Sequence, residues 1–146
     1  MDIKKVDFNN LALSLQDHCP FILFAMLTGF DAEKEAPVEK NLELSVFLEP
    51  GTGFVMALEK ILLVAARAAP DFFCEITILN RIDADSRFRA AGGTRLFIRA
   101  GKEDLFKMFV TNASFDYRLK RAHMRLQGKQ MGEGRWEMGD RRNIYF

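Results

Sequence analysis

The chain has 146 residues, 49% of them hydrophobic and 28% charged, and its 21 basic and 20 acidic side chains leave a net charge of +1. That is the make-up of one globular domain, large enough for a core of its own and too small for two. The longest run without a charged residue or histidine, Cys19 to Phe30, has twelve residues, which falls short of the roughly 20 a membrane-crossing helix needs.

Two cysteines, Cys19 and Cys74, cannot build a disulfide framework, and two histidines, His18 and His123, give no zinc-ligand spacing. The N-terminal segment sets Lys4, Lys5, Asp7 and Asp17 around a weakly apolar stretch. It lacks the hydrophobic region of a signal peptide, so the expected location is cytoplasmic. Charge is unevenly spread: residues 1 to 117 carry 13 basic and 17 acidic side chains, a net of −4, and residues 118 to 146 carry 8 and 3, a net of +5.

In chain order, Ile3 to Gln16 places Ile3, Val6, Leu11, Leu13 and Leu15 in a helical rhythm closed by Pro20. Phe21 to Met26 is a continuous apolar run, predicted as a strand buried on both faces. The acidic stretch Asp31 to Lys40, with Pro37, is predicted as a loop. Leu42 to Glu49 alternates, Leu42, Leu44, Val46 and Leu48 on one side and Glu43, Ser45, Phe47 and Glu49 on the other, and Pro50-Gly51 ends this second strand. From Thr52 to Ala69 the positions Phe54, Leu58, Ile61, Leu62, Ala65 and Ala69 mark an amphipathic helix stopped by Pro70. Phe72 to Leu79 reads as a third strand, Asp83 to Ala91 as a short helix ending at Gly92-Gly93, and Thr94 to Arg99 as a fourth strand.

A last helix opens at Lys102 with Glu103 and Asp104 and ends among Arg118, Lys120, Arg121 and Arg125, an order of charge that suits the helix dipole. Its apolar stripe is Leu105, Met108, Phe109, Phe115 and Leu119. Beyond Leu126, Gly128, Gly132, Gly134 and Gly139 are expected to break it. The domain is thus expected to span residues 1 to 127, with 128 to 146 as a basic, glycine-containing arm. The arm's Trp136, Met138, Ile144, Tyr145 and Phe146 need a surface to dock on, and a homodimer or another tight protein contact would supply it. The order α-β-β-α-β-α-β-α, with a short loop between the first two strands, implies an α/β (or α+β) fold: a mixed sheet flanked by helices.

Asn41 and Glu43 are two apart, so they share a face at the start of the second strand, and Glu75 lies on the third. Oxygen-bearing side chains on neighbouring strands are a donor set for a hard cation such as Mg²⁺. The competing reading makes Glu43 a solvated residue on the exposed half of an alternating strand. The basic tail residues, Arg118, Arg121, Arg125, Arg135, Arg141 and Arg142 with Trp136 and Tyr145, have the composition of a single-stranded nucleic-acid contact. A solvated helix end plus an oligomerisation arm explains them better, and nucleic acid is not the expected partner.

The succession Phe21-Ile-Leu-Phe-Ala-Met, Asn41-Leu-Glu-Leu-Ser-Val-Phe-Leu-Glu and Phe73-Cys-Glu-Ile-Thr-Ile-Leu-Asn80 resembles the minimal nucleotidyltransferases of the DNA polymerase β superfamily. Gly92-Gly93-x-x-Leu96-Phe97 and Tyr117 add to the likeness, which covers roughly residues 1 to 122. The resemblance implies a polymerase β-like fold. It also implies a catalytic and metal-binding set at Asn41, Glu43 and Glu75, and nucleotide-phosphate contact at Ala25 and Met26. At each of these the chain departs from the family pattern: Ala25-Met26 stands for Gly-Ser, Asn41-x-Glu43 for Asp-x-Asp, and Glu75 for aspartate. Family members are commonly the antitoxin partners of HEPN-type toxins in bacteria, so the resemblance implies such a pairing. The expectation is a catalytically silent protein that binds no cofactor tightly and neutralises through protein contact alone. The alternative is an active transferase moving an NMP from an NTP, with Mg²⁺ on Glu43 and Glu75.

Overall fold

A computed structural model of the chain describes residues 7–28, 30–31, 36–37 and 41–131. Helix α1 (Phe8–His18) starts where the Asp7 carboxylate accepts a hydrogen bond from the Asn10 N–H at 3.0 Å, and buries Leu11 and Leu15. Strand β1 (Ile22–Thr28) follows, then two short paired strands, β2 (Phe30–Asp31) and β3 (Ala36–Pro37), which reach into the stretch Asp31 to Lys40 expected to be a loop. Strand β4 (Asn41–Leu48) ends in a turn in which Gly51 takes a φ of 90°, open to glycine at no steric cost. Helix α2 (Phe54–Ala68), strand β5 (Phe73–Ile78), a 3-10 turn (Leu79–Arg81), helix α3 (Ala84–Ala91), strand β6 (Thr94–Ile98) and helix α4 (Glu103–Met131) follow among the described residues.

The main sheet has the order β5-β4-β1-β6. β1 lies between β4 and β6 and runs antiparallel to both, whereas β4 and β5 are parallel and joined through α2, so the sheet is mixed. Its central position explains why β1 is apolar on both faces: six of its seven residues are buried. On one face Ala25, Leu27, Leu42, Leu44, Val46 and Leu48 pack against α1 and α2. On the other, Phe24, Met26 and Leu79 pack against Ala90 of α3 and Phe109 of α4. Phe24 is the hub there, stacked on Phe47 at 5.0 Å and meeting Phe106 and Phe109 at 5.1 and 5.4 Å between ring centroids.

Two expectations need correcting. α4 does not stop beyond Leu126 but continues through Gly128 to Met131. One glycine costs a helix interior only about 1 kcal/mol, so Gly128 alone does not have to end a helix of this length. The apolar stripe foreseen on α4 is also only partly internal: Phe109 is buried, while Met108, Phe115 and Leu119 are 58–62% exposed. The first helix, expected over Ile3 to Gln16, starts later, at Phe8, because Asp7 is extended and caps it, and it runs on to His18. Ile3 itself and the docking of Trp136 to Phe146 lie outside the described residues. Among the described residues no helix is long and apolar enough to cross a membrane.

Candidate functional site

The parallel register of β4 and β5 sets Glu43 opposite Glu75 and Asn41 opposite Phe73. Residues in register on parallel neighbours point to the same face, so the two glutamates stand side by side on the face that α3 covers, on strands about 4.8 Å apart. Antiparallel pairing of β1 with β4 puts Thr28, the last residue of β1, opposite Glu43. The Thr28 hydroxyl donates to Glu43 Oε1 at 3.0 Å. From the other side Arg89 Nη2 donates to the same oxygen at 2.6 Å, as a salt bridge.

Local sequence explains why Arg89 arrives there. Asp83 caps α3, accepting from the Ser86 N–H at 2.8 Å, and that backbone bond holds its carboxyl below the usual range. Phe88 stacks on Tyr117 of α4 at 4.0 Å, and Lys120 pairs with Asp85 at 3.1 Å, which fixes the helix against α4. Its last turn then lies over the end of β1, where Gly93 passes so close that a Cβ would collide with the Leu27 carbonyl oxygen. Arg89 projects from that turn to Glu43. Neither Arg89 nor Thr28 stood out in the sequence, since the bridge joins residues 46 positions apart. The available signal was a lone arginine in the last turn of a short helix that returns to the sheet through two glycines.

As donors for Mg²⁺ the described residues Asn41, Glu43 and Glu75 make a small set. Glu43 is paired with Arg89, whose side chain reaches it from the surface, Glu75 is exposed on the edge strand, and Asn41 is neutral. No group of three His, Cys, Asp or Glu side chains converges among the described residues. A divalent cation needs several anionic oxygens, and of the two carboxylates that the described residues place here one is already paired with a guanidinium.

Ala25 and Met26 do not stand at the strand end. β1 runs two residues beyond the apolar run, so both lie mid-strand at 0% and 1% exposure, and neither side chain can touch a phosphate. The residue at the strand end is Thr28. Burial raises the thiol pKa of Cys19 and of Cys74, which makes both poor nucleophiles.

The chain matches no protein-family model and no curated protein. Its structure does have relatives. The structure of a toxin-antitoxin with AMP-PNP is similar at 15% identity and a TM-score of 0.63, over 87% of this chain and 100% of that one. The toxin-antitoxin MntA-HepT is similar at 14% identity and a TM-score of 0.59, over 86% and 97%. A tri-AMPylated Shewanella oneidensis HEPN toxin in complex with MNT antitoxin is similar at 16% identity and a TM-score of 0.57, over 86% and 96%. The chain has the minimal nucleotidyltransferase fold. At this identity the likeness is one of fold alone.

Proposed function

We propose that this protein works by protein contact, as the antitoxin-type partner of a HEPN-type toxin, and that its nucleotidyltransferase site is silent. The similar folds occur in toxin-antitoxin complexes, which supports the kind of partner. The observation that carries the silence is the Arg89–Glu43 bridge at 2.6 Å, with Thr28 on the same oxygen. Arg89 neutralises the one carboxylate that the fold holds at the inner strand, where a catalytic cation would have to sit, and nucleotidyl transfer depends on such a cation to offset charge on the triphosphate.

The rival reading is an active transferase. AMP-PNP in one similar structure and an AMPylated toxin in another speak for it. The test is to co-express the chain with a HEPN-type toxin, follow growth rescue and co-purification, and incubate the complex with labelled ATP and Mg²⁺ or Mn²⁺. Rescue and co-purification are expected to be unchanged in Glu43→Ala and Glu75→Ala, with no label transferred. Metal-dependent labelling that disappears in either variant would establish the active transferase instead.

A further inference from the structure

Helix α4 has 29 residues, about 43 Å of helix, and its exposed apolar residues are ordered. Met108, Asn112, Phe115, Leu119, Ala122 and Leu126 follow one another at alternating spacings of four and three, the a/d repeat of a coiled-coil seam. Met108, Phe115, Leu119 and Leu126 are 61, 62, 58 and 58% exposed, so the fold itself leaves this seam uncovered among the described residues.

We propose that a second copy of this chain covers the seam, α4 pairing antiparallel with α4 about a two-fold axis beside Tyr117. In that register every a position faces a d position of the copy: Met108 meets Leu126, Phe115 meets Leu119, and Asn112 meets Ala122. The seam is therefore self-complementary, as a two-fold contact requires. Charge selects the same direction. Residues 103 to 117 carry Glu103, Asp104, Asp116 and Lys107, and residues 118 to 131 carry Arg118, Lys120, Arg121, Arg125 and Lys129 with no acid. Antiparallel pairing lays the acidic half on the basic half, whereas parallel pairing would stack the basic halves on each other. At the axis Arg118 lies level with the copy's Asp116, and the like-charge approaches of Asp116 and of Arg118 to their own copies flank that pair, where salt screens them.

The molecule also provides a bed for the arriving helix. Beside Met108 runs a groove of about 290 Å³, lined by Phe47, Asn80, Arg87, Leu105 and Asn112 among others. Arg87 Nε is buried at this groove with no hydrogen-bond acceptor among the described residues. The copy's Leu126, opposite Met108, arrives at its edge.

This inference stands apart from the toxin reading, because it concerns the chain alone. Met108→Cys combined with Leu126→Cys tests it. The two positions are about 27 Å apart along one helix, too far for a bond within the chain, but opposed across the antiparallel pair. Mild oxidation should convert the double variant to a covalent dimer and leave each single variant monomeric on a denaturing gel. Sedimentation of the intact chain at tens of micromolar should give twice the mass of one chain, and Phe115→Asp should halve it while keeping the helical circular dichroism. An intact chain that sediments as a monomer would overturn the proposal. So would cross-linking by Met108→Cys alone, which only a parallel pair allows. If Phe115→Asp instead released a co-purified toxin from a monomeric chain, the seam would belong to the toxin.

Discussion

Single side chains carry the long-range order around the candidate site. Arg89 and Thr28 converge on one oxygen of Glu43, and a comparable role falls to Asn80 behind it. The Asn80 amide accepts from the Leu48 N–H at 2.8 Å and donates to the Leu48 carbonyl at 2.9 Å, pairing both backbone groups at the end of β4, beyond Val46, the last residue that pairs with β5. Half-buried backbone groups left unpaired are costly, and two bonds at about 1 kcal/mol each, plus some desolvation, set the scale. Asn80→Ala is expected to lower the unfolding free energy by about 2–3 kcal/mol in a urea titration. A loss under about 0.5 kcal/mol would show that water replaces the amide at both positions.

At the scale of elements, the approach of α3 to the end of β1 is set by backbone contact at Gly93, and two adjacent glycines make the argument testable. A Cβ at Gly93 would collide with the Leu27 carbonyl oxygen and press on Thr28 Cγ2 at 3.0 Å, whereas at Gly92 the nearest atoms are 3.7 and 3.8 Å away. Gly93→Ala should therefore cost about 1–3 kcal/mol by forcing the turn off the strand, with Gly92→Ala close to neutral. Thermal melts of both variants decide it, and equal losses would refute the contact argument. The same elements show what a sequence can and cannot disclose. The alternation of Leu42 to Glu49 and the Pro-bounded pattern of Thr52 to Ala69 were legible because each face answers to one local period, and the structure places β4 and α2 within two residues of those bounds. The end of β1 was not legible, since Leu27 and Thr28 extend the strand only because Leu44 and Glu43 pair with them from across a hairpin. In the same way Glu43 and Glu75 were legible as members of one face, but the partner that occupies Glu43 comes from a helix far along the chain.

For the molecule as a whole, the sheet separates two apolar layers, and the layer under α3 and α4 is organised around one ring. Phe24 is fully buried in β1 and touches Phe47 of β4 and Phe106 and Phe109 of α4, so the central strand, its neighbour and the longest helix share one packing centre. The high phenylalanine count is explained in part by this cluster, but not wholly: Phe73 on the edge strand β5 is 69% exposed. The pair gives a contrast between identical substitutions. Phe24→Ala removes a ring from a closed aromatic centre and leaves a cavity no side chain can fill without pulling α4 from the sheet, a loss of about 3–5 kcal/mol. Against a total stability of about 5–15 kcal/mol that is a large share, so the urea midpoint should fall steeply. Phe73→Ala should stay within about 0.5 kcal/mol of the parent. Because the ring joins sheet to helix, far-ultraviolet and near-ultraviolet signals of the Phe24→Ala protein should still change together if the domain unfolds as one unit. Helical signal persisting after the aromatic signal is lost would show instead that α4 is held by its contacts with α3, and that the Phe24 cluster stabilises only the sheet.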